Sequence, residues 1–258
     1  MVASASPTPR REERPHWIKI HYETEKDYWW FALKRQLIIN FITSLVPQGS
    51  TILEIGSGGG LLSAELQKIG FKIISTDVEP SSARYTREMG ISRVFISDCG
   101  EGIPLQDASV DLIFMTDVLE HIEDDNRVLS ECFRVLKSGG YILITVPAYQ
   151  CLYSSWDRWN HHYRRYNKKA ICSLAQRNNL SIIKITFWNM PGVPFAILRK
   201  FLDIFNPNRS YEGFPRVPKI LDKVLRLIIS VENYLIRKVS LPFGLSLICI
   251  LRKESTCK

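Results

Sequence analysis

The chain has 258 residues, 45% of them apolar, and a formal net charge of +8 from 34 Lys and Arg against 26 Asp and Glu. This suits one large globular domain or a domain with an insertion, and the basic balance leaves acidic partners or anionic surfaces open. Six scattered cysteines without a Cys-x-x-Cys pair read as reduced cytoplasmic thiols, Met1 to Pro9 lacks the apolar centre of a secretory signal, and no apolar run nears the roughly 18 residues of a membrane span.

Residues 1–15, rich in small residues and proline, are expected to be a disordered tail, and 16–258 a single domain. Tyr28, Trp29, Trp30 and Phe31 precede Leu33, Leu37, Ile38 and Phe41 at helical spacing, so residues 16–48 form a leading helical region. Thr51, Ile52, Leu53 and Ile55 make an apolar, β-branched run suited to a strand buried on both faces. Gly56, Ser57, Gly58, Gly59 and Gly60 follow as a tight turn that lets a ligand approach the backbone. Leu61 to Ile69 then has helical periodicity, with Gly70 as its stop. Strand, glycine turn and helix open a nucleotide-binding βαβ unit, with the ligand at the strand's carboxyl end. Leu61 takes the place of the third glycine of the dinucleotide pattern, and the Glu54 carboxylate would repel a pyrophosphate. A ligand bearing an amine and a sulfonium is the better guest.

Lys72 to Thr76 reads as the second strand, ending at Asp77, 21 residues past Gly56, where a carboxylate meets ribose hydroxyls. Ser81 to Met89 reads as a helix, Arg93 to Ser97 as the third strand before Asp98 and Cys99, and Val110 to Thr116 as the fourth. Asp124 to Leu136 reads as a helix stopped by Ser138, Gly139 and Gly140, and Tyr141 to Val146 as the fifth strand. Residues 147–167 form a loop dense in aromatic and cationic groups, among them Tyr149, Trp156, His161, His162 and Arg165. Its place after a strand's carboxyl end suggests a substrate pocket, and its rings equally suit a loop pinned to the core. Lys168 to Arg177 reads as a helix, Leu180 to Phe187 as the sixth strand, and Leu241 to Arg252 as the last.

The motif Glu54-x-Gly56-x-Gly58-x-Gly60, the acids Asp77 and Asp98, the run Asp117-Val-Leu-Glu120-His121-Ile122 and Leu136-Lys-Ser-Gly-Gly140 resemble, in this order, the class I S-adenosylmethionine-dependent methyltransferases. The wider chain resembles a type 11-like bacterial subgroup. The resemblance implies an α/β, Rossmann-like doubly wound sheet of seven strands, mostly parallel with an antiparallel last strand. Residues 190–240 are then a helical insertion between the last two strands, and the leading helix either packs across the fold or caps the cofactor cleft. It implies S-adenosyl-L-methionine as cofactor. Glu54 would pair with its amine directly or through water, Gly56, Ser57 and Gly58 would meet its methionine part, Asp77 and Val78 its ribose, and Asp98 and Cys99 its adenine. Thr116 and Asp117 would complete the cofactor site.

The expected activity is methylation, in the first instance of an oxygen, on a small-molecule or lipid-linked acceptor, with His121 as general base because an imidazole accepts a hydroxyl proton near neutral pH. Some O-methyltransferases hold a divalent metal with an acidic-x-x-Glu-His motif and a further histidine. Asp117, Glu120 and His121 match that motif, with His161 or His162 as the further ligand, while many metal-free relatives share it. The alternatives are a donor-binding protein without catalysis and an RNA or DNA methyltransferase. The Asn/Asp-Pro-Pro-Tyr motif of amino-directed DNA enzymes is missing after the fourth strand, so nucleic acid is disfavoured. Nine basic and four acidic residues between Met190 and Ser240 concentrate the charge there, on two amphipathic helical stretches. These either close over the cleft as a lid or touch an anionic membrane surface from the cytoplasmic side.

Overall fold

The computed structural model describes residues 22–206 and 217–254. The expected tail at 1–15, residues 16–21 and the centre of the insertion, 207–216, lie outside the described residues. In chain order the elements are α1 (Trp29–Leu45), β1 (Thr51–Ile55), α2 (Leu61–Ile69), β2 (Lys72–Asp77), α3 (Pro80–Glu88), β3 (Arg93–Ile96) and β4 (Val110–Thr116). There follow α4 (Asp125–Val135), β5 (Leu136–Pro147), α5 (Ser155–Trp159), α6 (Lys168–Arg177), β6 (Leu180–Trp188), α7 (Gly192–Phe205), α8 (Lys219–Ile236) and β7 (Ser246–Lys253). Short 3₁₀ turns at Leu119–His121 and Gln150–Leu152 sit on the loops after β4 and β5.

The seven strands form one sheet in the order β3-β2-β1-β4-β5-β7-β6. β1 to β5 pair in parallel, and β7 runs antiparallel to both β5 and β6. The doubly wound sheet and its helical insertion between β6 and β7 are therefore as the motifs implied. The apolar runs of β1, β4 and β5 are almost entirely buried, as central parallel strands must be. From β1 the chain winds outward to β2 and β3, then returns to β4 on the other side. The strand order reverses there, which opens a crevice beyond the carboxyl ends of β1 and β4.

Two strand starts differ from the sequence expectation by five residues, and other ends by one. Ser138, Gly139 and Gly140 do not stop the helix before β5, because β5 begins at Leu136 and the register jumps from Val110↔Leu136 to Leu112↔Tyr141. The glycines form a bulge: Gly139 has φ +78°, and a Cβ on Gly140 would lie 2.9 Å from the Asp111 carbonyl oxygen. The last strand starts at Ser246, not Leu241. Gly244 crosses the Trp188 backbone so closely that a Cβ would approach its carbonyl oxygen to 2.5 Å, and this crossing segment cannot join the ladder.

The leading helix α1 buries Trp29, Leu33, Leu37, Ile38, Phe41 and Ile42 and packs against α8. Asn233 of α8 locks the junction, donating to the Leu33 carbonyl at 2.9 Å and accepting from Trp188 Nε1 at 2.8 Å.

Candidate active site

The glycine turn sits at the carboxyl end of β1. Gly56, Gly58 and Gly60 have φ of +78°, +52° and +73°, the left-handed region that favours glycine. Gly60 is fixed by packing, since a Cβ there would lie 2.7 Å from Thr86 Cα of α3. Gly56 is covered by Val118, and the Ser57 hydroxyl accepts from Thr86 Oγ1 at 3.0 Å. Gly58 differs: a Cβ would meet nothing within 4 Å, so open space lies against its backbone. Tyr22 and Glu25, ahead of α1, lie against Gly59 on the same turn. Burial beside the turn lifts the Glu25 carboxyl to about 7.

Asp77 ends β2 beside this space. Its carboxylate accepts from the Gly58 N–H at 3.0 Å and the Glu79 N–H at 2.9 Å, tying turn and strand together. Burial raises its pKa against these bonds. Two accepted bonds leave lone pairs for further donors. Val78 next to it is exposed. Asp98 is exposed past β3 and accepts from the Gly100 N–H at 2.8 Å, while Cys99 is buried and its thiol is pushed up to about 12 by burial.

Glu54 is claimed by side chains of the fold. Its carboxylate is buried beneath the turn and accepts from Ser63 Oγ at 2.5 Å and Ser75 Oγ at 3.0 Å. Burial raises its pKa to about 8, so the group is mostly neutral at pH 7.

Beyond β4, Thr116 is half-buried and Asp117 takes φ +56°. Asp117 forms an ion pair with Lys34 of α1, a buried cation, and accepts from Thr145 Oγ1 at 3.2 Å. Sequence spacing does not reveal this pair, because its members are 83 residues apart. Asp117 is thus engaged by Lys34 and does not join Glu120 and His121. His162, from the loop after β5, takes the third corner instead: ligand atoms of Glu120, His121 and His162 all lie within 4.8 Å of one another. The two imidazoles meet edge to face with centroids 4.7 Å apart. Both Glu120 carboxyl oxygens are buried without a hydrogen-bond partner, and burial with Asp117 nearby raises its pKa well above the usual carboxylate range.

Asp157 organises the loop. It caps α5 through Ser154, receives Arg165 Nε at 2.7 Å, and accepts from His162 Nδ1–H at 2.9 Å. Burial works against its charge, but His162 and Arg165 outweigh it and hold the carboxyl at about 2. The bond fixes the His162 tautomer and leaves Nε2 for the cluster. Arg165 is buried in this support. Trp156 packs on Trp159 and under the Arg199 guanidinium, and the Tyr149 ring stacks on Phe187 at 5.1 Å. His161 is exposed with φ +58° and stands outside the Glu120 cluster. Asp157 was not among the residues singled out from sequence, although Ser154-x-x-Asp157 is a capping-box pattern that signals it.

Known proteins resemble parts of this chain. A family model described as a methyltransferase domain matches residues 53–144, the span from β1 to β5. A ubiquinone biosynthesis O-methyltransferase of Xanthomonas axonopodis pv. citri is 25% identical over 151 residues, 52% of this chain and 63% of that protein. A probable S-adenosylmethionine-dependent methyltransferase of Mycolicibacterium smegmatis is 30% identical over 127 residues, 48% and 47% of the two chains. The chain thus spans about half to two thirds of the length of these relatives. Among solved structures, a Haloferax volcanii methyltransferase, in complex with the activator Trm112, superposes with TM-score 0.62 at 19% identity over 96% of this chain and 99% of that one. A sarcosine dimethylglycine methyltransferase fold from Galdieria sulphuraria gives 0.55 at 18% identity over 94% and 86%. With the glycine turn, the Asp77 tie and the 3-2-1-4-5-7-6 sheet all in place, the chain carries a methyltransferase domain over residues 53–144, on the fold of these solved methyltransferases.

Proposed function

We propose that this chain transfers the methyl group of S-adenosyl-L-methionine to a hydroxyl of a small-molecule or lipid-linked acceptor. The observation that carries the donor part is the open space against Gly58, rimmed by the Asp77 carboxylate. In this reading Gly56, Ser57 and Gly58 present backbone to the methionine part, Asp77 and Val78 take the ribose, and Asp98 and Cys99 border the adenine. Thr116 and Asp117 close the floor at the end of β4. Glu54 supports the turn from below through Ser63 and Ser75 rather than meeting the donor's amine.

When bound, the donor supplies an activated methyl on a sulfonium. The protein's work is to align the acceptor oxygen opposite the sulfur and to take its proton. Transfer would exchange the donor's carbon–sulfur bond for a carbon–oxygen bond on the acceptor, and His121, the exposed imidazole of the loop after β4, would take the acceptor's proton. Relatives named for O-methylation in ubiquinone biosynthesis support oxygen as the nucleophile. Methyl-labelled donor incubated with phenolic and polyprenol-linked acceptors tests the reading. Labelled ether product from wild type, lost in His121→Ala, supports it; donor binding with full turnover in His121→Ala removes the base role.

The unpartnered Glu120 oxygens favour a metal-assisted variant. Glu120, His121 and His162 offer one oxygen and two nitrogens, a set suited to Zn²⁺ or Mn²⁺, with Asp157 orienting His162 from behind. A metal there would lower the acceptor hydroxyl's pKa. Metal analysis and calorimetric titration of the chelated protein with Zn²⁺ and Mn²⁺ separate this variant from the metal-free one.

A further inference from the structure

We propose that the outer faces of α7 and α8 dock the protein on an anionic membrane surface. Helix α7 is inverted. At about 100° per residue, Arg199, Lys200 and Asp203 share one side of it. That side faces the domain: Asp203 accepts from Ser155 N at 2.5 Å and Ser155 Oγ at 2.6 Å, Lys200 donates to the Tyr153 carbonyl, and Arg199 lies 4.7 Å from the Trp156 ring centroid. The opposite side carries Ile197, Leu198, Phe201, Leu202, Ile204 and Phe205, all exposed, with Ile204 at 69% and Phe205 at 73%. No residue of α7 is buried. The ordinary soluble helix hides its apolar side and shows its polar one. This one does the reverse.

Helix α8 is apolar on both its inner and its outer side. It buries Leu225, Ile229 and Ile236, together with Glu232, which accepts from Asn189 N, and Asn233. Its outer side shows Ile220, Val224, Leu227, Ile228, Val231 and Leu235. Exposed apolar residues on this scale mark an interaction surface.

The charge around the patch selects the partner. Lys219, Lys223, Arg237 and Lys238 are exposed beside the apolar side of α8. None of the acidic residues described in the insertion is exposed: Asp203 holds Ser155, Asp222 holds Arg226 at 2.7 Å, and Glu232 is buried. An apolar face edged by outward cations, with no exposed acid among the insertion's described residues, fits anionic headgroups above an acyl layer. A second copy of this chain would bring like charge against like. Among the described residues no helix is long and apolar enough to cross a membrane, so the contact is peripheral. Because α7 rests on the loop that carries Asp157 and His162, such docking would bring the site's mouth to the lipid surface. The proposal goes beyond the methyl-transfer reading and does not depend on it.

The test is sedimentation of the full chain with vesicles of phosphatidylglycerol and phosphatidylcholine, or of phosphatidylcholine alone. Wild type is expected to pellet with the anionic vesicles at low salt, and about tenfold less at high salt or with phosphatidylcholine alone. Phe201→Glu/Phe205→Glu and Lys219→Glu/Lys223→Glu should each reduce pelleting at least tenfold while leaving the circular dichroism spectrum and donor affinity unchanged. Absence of pelleting under every condition, or pelleting indifferent to lipid charge, overturns the proposal. So does a stable dimer in light scattering that Phe201→Glu/Phe205→Glu dissociates without any vesicle binding, which assigns the face to a second copy. Donor affinity, measured separately, reports on the methyltransferase reading alone.

Discussion

Replacing Glu54 by glutamine isolates what this buried acid does. In the native protein its carboxyl titrates at about 8 because burial disfavours the charged form, with the Ser63 and Ser75 hydroxyls only partly offsetting it. In the unfolded chain it titrates near 4.3. A carboxyl raised by folding leaves stability intact below the unfolded pKa, and stability falls as pH rises between the two values, because there the native state binds more protons than the unfolded one. At about 1.4 kcal/mol per unit, wild type should lose about 3 kcal/mol from this group between pH 5 and pH 7.5. Glutamine keeps an acceptor for both serine hydroxyls and carries no charge at any pH. Urea unfolding of both proteins across that range should therefore show Glu54→Gln gaining about 3 kcal/mol on wild type as pH rises. The substitution should leave donor affinity near that of wild type. Parallel stability curves would refute the burial argument, and a large loss of donor affinity would return Glu54 to the amine role.

Four other outcomes follow from the cluster around His121. His121→Ala should cut turnover on the order of 100-fold with donor affinity unchanged, read from initial rates and calorimetry. Asp157→Asn should cost about 3 kcal/mol in urea unfolding, because Arg165 is left buried without its charge partner. Wild type, with Asp157 held at about 2, should lose about 2 kcal/mol from that group as pH falls from 4 to 2, and the asparagine variant should not. If the metal-assisted variant holds, chelator should abolish activity and Mn²⁺ or Zn²⁺ restore it, while activity indifferent to chelator removes that variant.

The parts of the fold legible in sequence are those coded over short distances. Strand β4 and helices α2 and α6 have the bounds that apolar periodicity, Gly70 and Arg177 suggested, and Asp77 stands at the end of β2 as its spacing from Gly56 required. The bulge at 137–140 was hidden because glycines after a helical pattern usually end a helix, and only the register against β4 distinguishes the two. Glu54 was placed in the right strand, but Ser63 and Ser75, whose hydroxyls claim its carboxylate, come from α2 and β2. Lys34 with Asp117, and His162 with Glu120 and His121, come together across the fold from separate elements. No local pattern encodes such pairs. The inverted polarity of α7 was equally hidden, since periodicity finds an apolar side without saying which way it faces.

The central claim is that the open space against Gly58, beside Asp77, holds the methyl donor. Calorimetric titration of S-adenosylmethionine into wild type and Asp77→Ala tests it most directly. The expected result is one donor per chain on wild type, and binding about 5- to 150-fold weaker in the variant, from about 1–3 kcal/mol for leaving the ribose hydroxyls and the Gly58 N–H without their acceptor. Wild-type protein that takes up NAD but no S-adenosylmethionine, or donor affinity untouched by Asp77→Ala, would contradict it.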